Sequence, residues 1–198
     1  MVSGPYRVTL EFEKALCEYT GARFAVAVNS CTAALQLAVE SYSIDCVEIP
    51  RRTYISVPYA IMHAGAMVKW RDEDWRGAYQ LKPLPVWDCA RRFTSGMYIP
   101  GQLQCVSFAT SKILGAEQGG AILHDSKEAD GWFRCMRFDG RTEGVDPRED
   151  TFSLIGHHVI MLPSTAAQLL LKLHHLPKHN EDMPDYDYPD LSKHPAFR

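Results

Sequence analysis

The side chains in this sequence whose chemistry exceeds packing fall in four short stretches. Lys112 stands in "CVSFATSKILGAEQGG" (105–120), just past a short apolar run, where an ammonium is expensive to desolvate. Such a lysine is either a surface residue with a snorkelling stem or one kept for its nitrogen, as nucleophile and base. Ser107 lies at the end of the same run. Asp88 closes "LPVWD" (84–88), where a carboxylate either caps the next segment or pairs with a protonated ring nitrogen. The turn Asn29-Ser30-Cys31-Thr32 precedes a helical pattern, so its N–H groups and hydroxyls either cap that helix or hold a phosphate. Tyr54, just beyond "EIP", offers a flat face to the core or to a stacked ring.

These positions need a frame that brings them together. The runs 24–28, 46–50, 66–70, 84–88, 104–108 and 119–125 are short and apolar, the pattern of buried strands. Between and around them, helical spacing covers 9–19 with Thr9 as cap and Gly21 as stop, the stretch from Ser30 or Thr32 through Val39, 55–63, a segment capped by Ser126, and the leucine-rich 163–176. Strands alternating with helices predict an α/β fold with a mostly parallel sheet, in which ligands sit at the carboxyl ends of strands. All four stretches occupy such ends. Residues 139–151 read as an exposed polar loop. We expect 1–176 to form one α/β domain and 177–198, rich in proline and charge, to be an irregular tail, either mobile or an arm on a partner.

Composition narrows the classes. With 46% hydrophobic and 23% charged residues over 198 positions, the chain can bury a core of its own, and disorder is not the default. A formal charge of −3 gives no overall attraction to nucleic acid or an anionic membrane, although Arg51, Arg52, Arg91 and Arg92 leave local phosphate contact open. Six cysteines spread singly, without a C-x-x-C pair, predict free thiols in a reducing cytoplasm, with neither a disulfide framework nor a metal site. The start lacks the pattern of a signal peptide, and no window reaches the roughly 18 apolar residues of a membrane span.

Taken together, the motifs resemble those of the DegT/DnrJ/EryC1/StrS family of enzymes dependent on pyridoxal phosphate (PLP). "FEKALCEYTGARFAVAVNSCTAALQLAV" is similar to that family's F-E, Y-x-G and A-V-x-x-S-x-T-A-A-L pattern. "IPRRTYISVPYAIMHAGAMV" resembles P-x-x-T-aromatic followed by A-I-x-x-x-G-A. "WDCARRF" resembles D-x-A-Q, and "SFATSKILGAEQGGAI" resembles S-F-x-x-x-K followed by G-E-G-G. A looser match aligns "IGHHVIMLPSTAAQLLLKL" with G-Y-N-aromatic-R and a leucine-rich helix. The resemblance runs from about Gly4 to about Asn180.

The resemblance implies the large domain of the type I aspartate aminotransferase fold and a sugar aminotransferase activity. It implies that Lys112 forms the Schiff base with PLP and shuttles the proton, and that Asp88 pairs with the pyridinium nitrogen. Tyr54 stacks on the ring, while Cys31, Thr32 and Ser107 hold the phosphate. Arg91 replaces the family's Gln, as a cation for the PLP phenolate or an anionic substrate group. His158 replaces an Asn that reaches the neighbouring phosphate across a homodimer, and Gln118 replaces the Glu of G-E-G-G. Family members are considerably longer, so the small C-terminal domain is expected to be absent and the site open to a bulky or nucleotide-linked substrate. Decarboxylation on the same scaffold and a non-catalytic homologue are the competing expectations.

Overall fold

The computed structural model describes residues 6–184 and 186–197; Gly4, where the resemblance begins, lies outside them. Helix α1 (Arg7–Thr20) buries Thr9, Phe12, Glu13, Leu16 and Thr20 along one face, the 3.6-residue spacing of an amphipathic helix. Thr9 is not its cap. The helix begins one turn earlier, with Tyr6 at the cap position and the Thr9 N–H donating to the Tyr6 carbonyl at 3.1 Å. Gly21 ends it in the left-handed region, at φ 82°, where a side chain is disfavoured.

The order continues with β1 (Phe24–Val28), α2 (Cys31–Glu40), β2 (Cys46–Pro50), α3 (Ser56–His63) and β3 (Met67–Arg71). It then runs β4 (Tyr79–Leu81), β5 (Val86–Asp88), β6 (Leu103–Ser107), β7 (Gly120–His124), α4 (Lys127–Arg137) and α5 (Pro163–His175). Successive strand residues face opposite layers. On β1, Val26 and Val28 join the core beneath α2, α3 and α4, whereas Ala25 and Ala27 join the core beneath α1 and α5. The molecule is a sheet between two helical layers, as an α/β fold requires.

The expectation of a mostly parallel sheet needs correction. The main sheet runs β1-β7-β6-β5-β4; β5–β6 is parallel, while β1–β7, β6–β7 and β4–β5 are antiparallel. A separate parallel pair, β2–β3, completes the set. Connections explain the direction. Parallel neighbours require a long crossover, and the link from β4 to β5, residues 82–85, is too short for one.

Even so, β1, β5 and β6 share one direction, because the reversed β7 stands between β1 and β6. Their carboxyl ends therefore meet at one rim, bringing together Ser30, Asp88 and Ser107. The amino end of β7 enters the same rim, with Gly119 bridged to Ser30 and Gly120 opposite both Val28 and Ser107. Glycine is needed there: a Cβ on Gly120 would stand 2.5 Å from the Cys31 nitrogen. Among the described residues, no helix is long and apolar enough to cross a membrane.

Candidate active site

Asp88 is the last residue of β5 and is buried. Its Oδ1 accepts the Ala90 N–H at 2.9 Å, and its Oδ2 accepts the Tyr79 hydroxyl at 2.9 Å. Burial raises its pKa, against the pull of the Ala90 N–H, the Tyr79 hydroxyl and the charge of Lys112. Each carboxylate oxygen keeps lone-pair capacity for a further donor.

Lys112 lies in the β6–β7 connection, in a turn where its own N–H donates to the Ala109 carbonyl at 2.9 Å. It is half-buried. Burial lowers the pKa of its ammonium; Asp88 raises it, Arg91 lowers it, and Cys31 raises it. Lys112 follows β6 and Asp88 ends its parallel neighbour β5, so both belong to the same rim; Lys112 also lines a groove with Leu171, Lys172 and His175 of α5. An amine with depressed proton affinity beside a buried carboxylate is suited to nucleophilic attack and proton transfer near neutral pH.

Ser30 caps α2, its Oγ accepting the Ala33 N–H at 3.1 Å. Cys31 follows, its Sγ donating to the Cys105 carbonyl at 3.7 Å; burial holds this thiol well above its ordinary pKa, and hence neutral. The Thr32 hydroxyl stands 2.7 Å from that of Ser56, joining the first turns of α2 and α3. Ser107 Oγ accepts the Ala109 N–H at 3.5 Å. The first turn of α2 thus meets the end of β6 and the glycines of β7, where peptide groups are within reach of an anion.

Arg91 is buried; its guanidinium donates to the Pro184 carbonyl and lies 5.8 Å from the Tyr186 ring centroid. Its Nε has no hydrogen-bond partner among the described residues. Tyr54 is 59% exposed, and its ring meets Tyr188 edge-on at 6.5 Å. Tyr188 in turn stacks on Trp75 at 6.1 Å and 14°. A cleft of about 250 Å³ opens beside these groups, lined by Arg52, Glu73, Asp74, Trp75, Arg91 and Tyr186. His158 is not brought to this space. It lies on the loop before α5, exposed, with Nδ1 3.0 Å from Asp139 Oδ2.

Two features escaped sequence reasoning. Tyr79 belongs to β4, a strand of three residues, too short for alternation to register. The segment after α5 folds back over the site rather than away from it. Asp182 forms a two-point pair with Arg92 at 2.8 and 2.6 Å, Leu191 is buried, and 191–193 and 195–197 form short 3-10 turns. The signal was its aromatic content, Tyr186 and Tyr188, which a solvated tail does not need.

Comparison with known proteins agrees with this architecture. The family model described as the DegT/DnrJ/EryC1/StrS aminotransferase family matches residues 1–86 and 96–184, leaving Asp88 and Arg91 between its two stretches. GDP-perosamine synthase of Caulobacter vibrioides is 26% identical over 226 residues, covering 90% of this chain and 59% of that protein. The spore coat polysaccharide biosynthesis protein SpsC of Bacillus subtilis is 43% identical over 67 residues, 32% of this chain and 17% of that one. Among solved structures, AtS13 from Actinomadura melliaura superposes with a TM-score of 0.78 at 21% identity, covering 88% of this chain and 61% of its own. Helicobacter pylori PseC, an aminotransferase involved in pseudoaminic acid biosynthesis, gives 0.72 at 18%, covering 86% and 58%. The chain thus spans less than two thirds of the length of these relatives. The family match extends over most of the sequence, on both sides of the rim: the chain belongs to the DegT/DnrJ/EryC1/StrS aminotransferase family.

Proposed function

We propose that this chain is the cofactor-holding part of a PLP-dependent aminotransferase that delivers an amino group to a keto sugar or a similarly bulky acceptor. The observation that supports the reading is the sheet order: Asp88 ends β5 and Lys112 follows β6, its parallel neighbour, at one rim, with burial lowering the proton affinity of the lysine. The names of the Caulobacter and Helicobacter relatives support the sugar acceptor.

The donor set fits PLP. A half-buried amine, a buried carboxylate with unused lone pairs, and a helix N-terminus approached by a glycine strand answer the aldehyde, the ring nitrogen and the phosphate respectively. When bound, PLP supplies an aldehyde that condenses with amines and a ring that delocalises charge from the substrate carbon. Lys112 Nζ is the group to bond the cofactor and to carry a proton to and from that carbon. Asp88 receives the ring N–H and holds it protonated. The Cys31 and Thr32 N–H groups and the Ser107 hydroxyl hold the phosphate, and Tyr54 offers its ring for stacking. Arg91, a buried cation, serves the phenolate or an anionic substrate group. His158, exposed and apart from the other groups, is assigned to the phosphate of a second copy in a cytoplasmic homodimer.

Addition of PLP to the purified protein is expected to give a yellow product that borohydride bleaches, and Lys112→Ala is expected to stay colourless while folding normally. Glutamate or glutamine is then expected to convert the cofactor to its amine form. Carbon dioxide release without that conversion would replace transamination with decarboxylation; no colour at all would leave a binding scaffold.

A further inference from the structure

Asp88 presents a problem that the site must solve. A carboxylate buried to 4% exposure tends to take up a proton, yet its ionised form holds a protonated ring nitrogen far more strongly than its neutral form. No guanidinium is paired with it among the described residues; its hydrogen-bond donors are the Ala90 N–H and the Tyr79 hydroxyl. Tyr79 stands directly opposite Asp88 in the β4–β5 register, so the two side chains project from the same face of the sheet. Trp75 packs on the Tyr79 ring at 4.6 Å.

Proton bookkeeping fixes the direction of the chain behind it. A phenol has one proton; when Tyr79 gives it to ionised Asp88, the Thr53 hydroxyl, 2.5 Å from the Tyr79 oxygen, must donate to Tyr79. Thr53, Tyr79 and Asp88 are all buried.

We infer that Tyr79, with Thr53 behind it, is a positioning residue that keeps Asp88 ionised and aims its free lone pairs at the cofactor's ring nitrogen. The inference deepens the function proposed above and rests on it. The other titratable groups facing Asp88 are Cys31 of α2, Cys89 beside it, Cys105 of β6, Lys112 after β6 and Tyr188 of the final segment. Burial holds the three thiols and Tyr188 protonated, and Arg91, facing Lys112, stays cationic.

The test is PLP affinity as a function of pH, by absorbance titration of the unaltered protein, Tyr79→Phe, Thr53→Val and Thr53→Ser. Loss of a hydrogen bond to a charged group is expected to weaken PLP binding about tenfold in Tyr79→Phe and to move the acid-side fall in affinity up by about one pH unit. Thr53→Val should move it in the same direction by less, and Thr53→Ser should restore it. Superimposable pH profiles for the unaltered protein and Tyr79→Phe, or a uniform weakening with no shift along the pH axis, overturn the inference and leave the proposed function standing. If Tyr79→Phe does not fold, Thr53→Val decides by the same criterion. Failure of the unaltered protein to take up PLP at any pH overturns both.

Discussion

Two buried carboxylates in this protein are treated in opposite ways. Glu13, on α1, accepts the Ala27 N–H at 2.8 Å, the Arg134 guanidinium at 2.8 Å, and the Arg137 guanidinium. Arg137 also donates to the Ala27 carbonyl at 2.6 Å and to Glu143 at 2.8 Å. Every charge in that cluster is answered within the chain, and it joins α1, β1 and α4. Asp88 is equally hidden but is met by two uncharged donors, and burial raises its pKa. A buried charge paired with guanidinium groups joins elements; Asp88, without one, keeps lone pairs for a further donor.

Substitutions can break that contrast. Glu13→Gln removes one charge from beneath two guanidinium groups and should destabilise the fold by about 3 kcal/mol, read from urea unfolding, with PLP affinity of the folded fraction unchanged. Asp88→Asn should do the reverse: PLP affinity falls by about a hundredfold, while stability at neutral pH holds or rises. The sign follows from linkage. The folded pKa of Asp88 lies above its unfolded value, so the folded state binds the proton more tightly and stability declines as pH rises through that window. The Asn variant should lack this decline. If it instead lost as much stability as Glu13→Gln, the two acids would have the same role.

The smallest effect belongs to the part-exposed pair Arg92–Asp182, which ties the final segment to the site. The Arg92 hydrogen bonds lower the pKa of Asp182, so this pair stabilises above the ordinary carboxylate range, and the benefit is lost as pH falls through the folded pKa. Arg92→Gln should cost about 1 kcal/mol or less at neutral pH, after solvent screening, and nothing in acid. Unfolding curves at the two pH values would show the difference vanish.

Most strands of this fold were legible because each is a short apolar run bounded by turn residues, whereas β4, three residues long, was not; Asp88 and Ser107 end neighbouring parallel strands, as their places in those runs imply. Strand direction was not legible. It depends on what joins two strands, and nothing within "GGAILHD" says that β7 is reversed. The partners of Asp88 were hidden for a related reason: Tyr79 and Thr53 are brought to it by register and by the meeting of β2 with β4, not by any local pattern. Tyr186 and Tyr188 reach Arg91 only because the chain doubles back more than ninety positions later.

The division of the strands into two sheets has a mechanical side. Among the described residues, Glu48 and Lys82 form the single backbone bridge between β2 and the strands that carry Asp88. Tyr54 and Thr53 ride on one side of that seam, Tyr79 and Asp88 on the other. The seam is therefore closed mainly by side chains: the Thr53–Tyr79 contact and the Arg71 guanidinium, which donates to the Glu48 carbonyl on one side and the Gln80 carbonyl on the other.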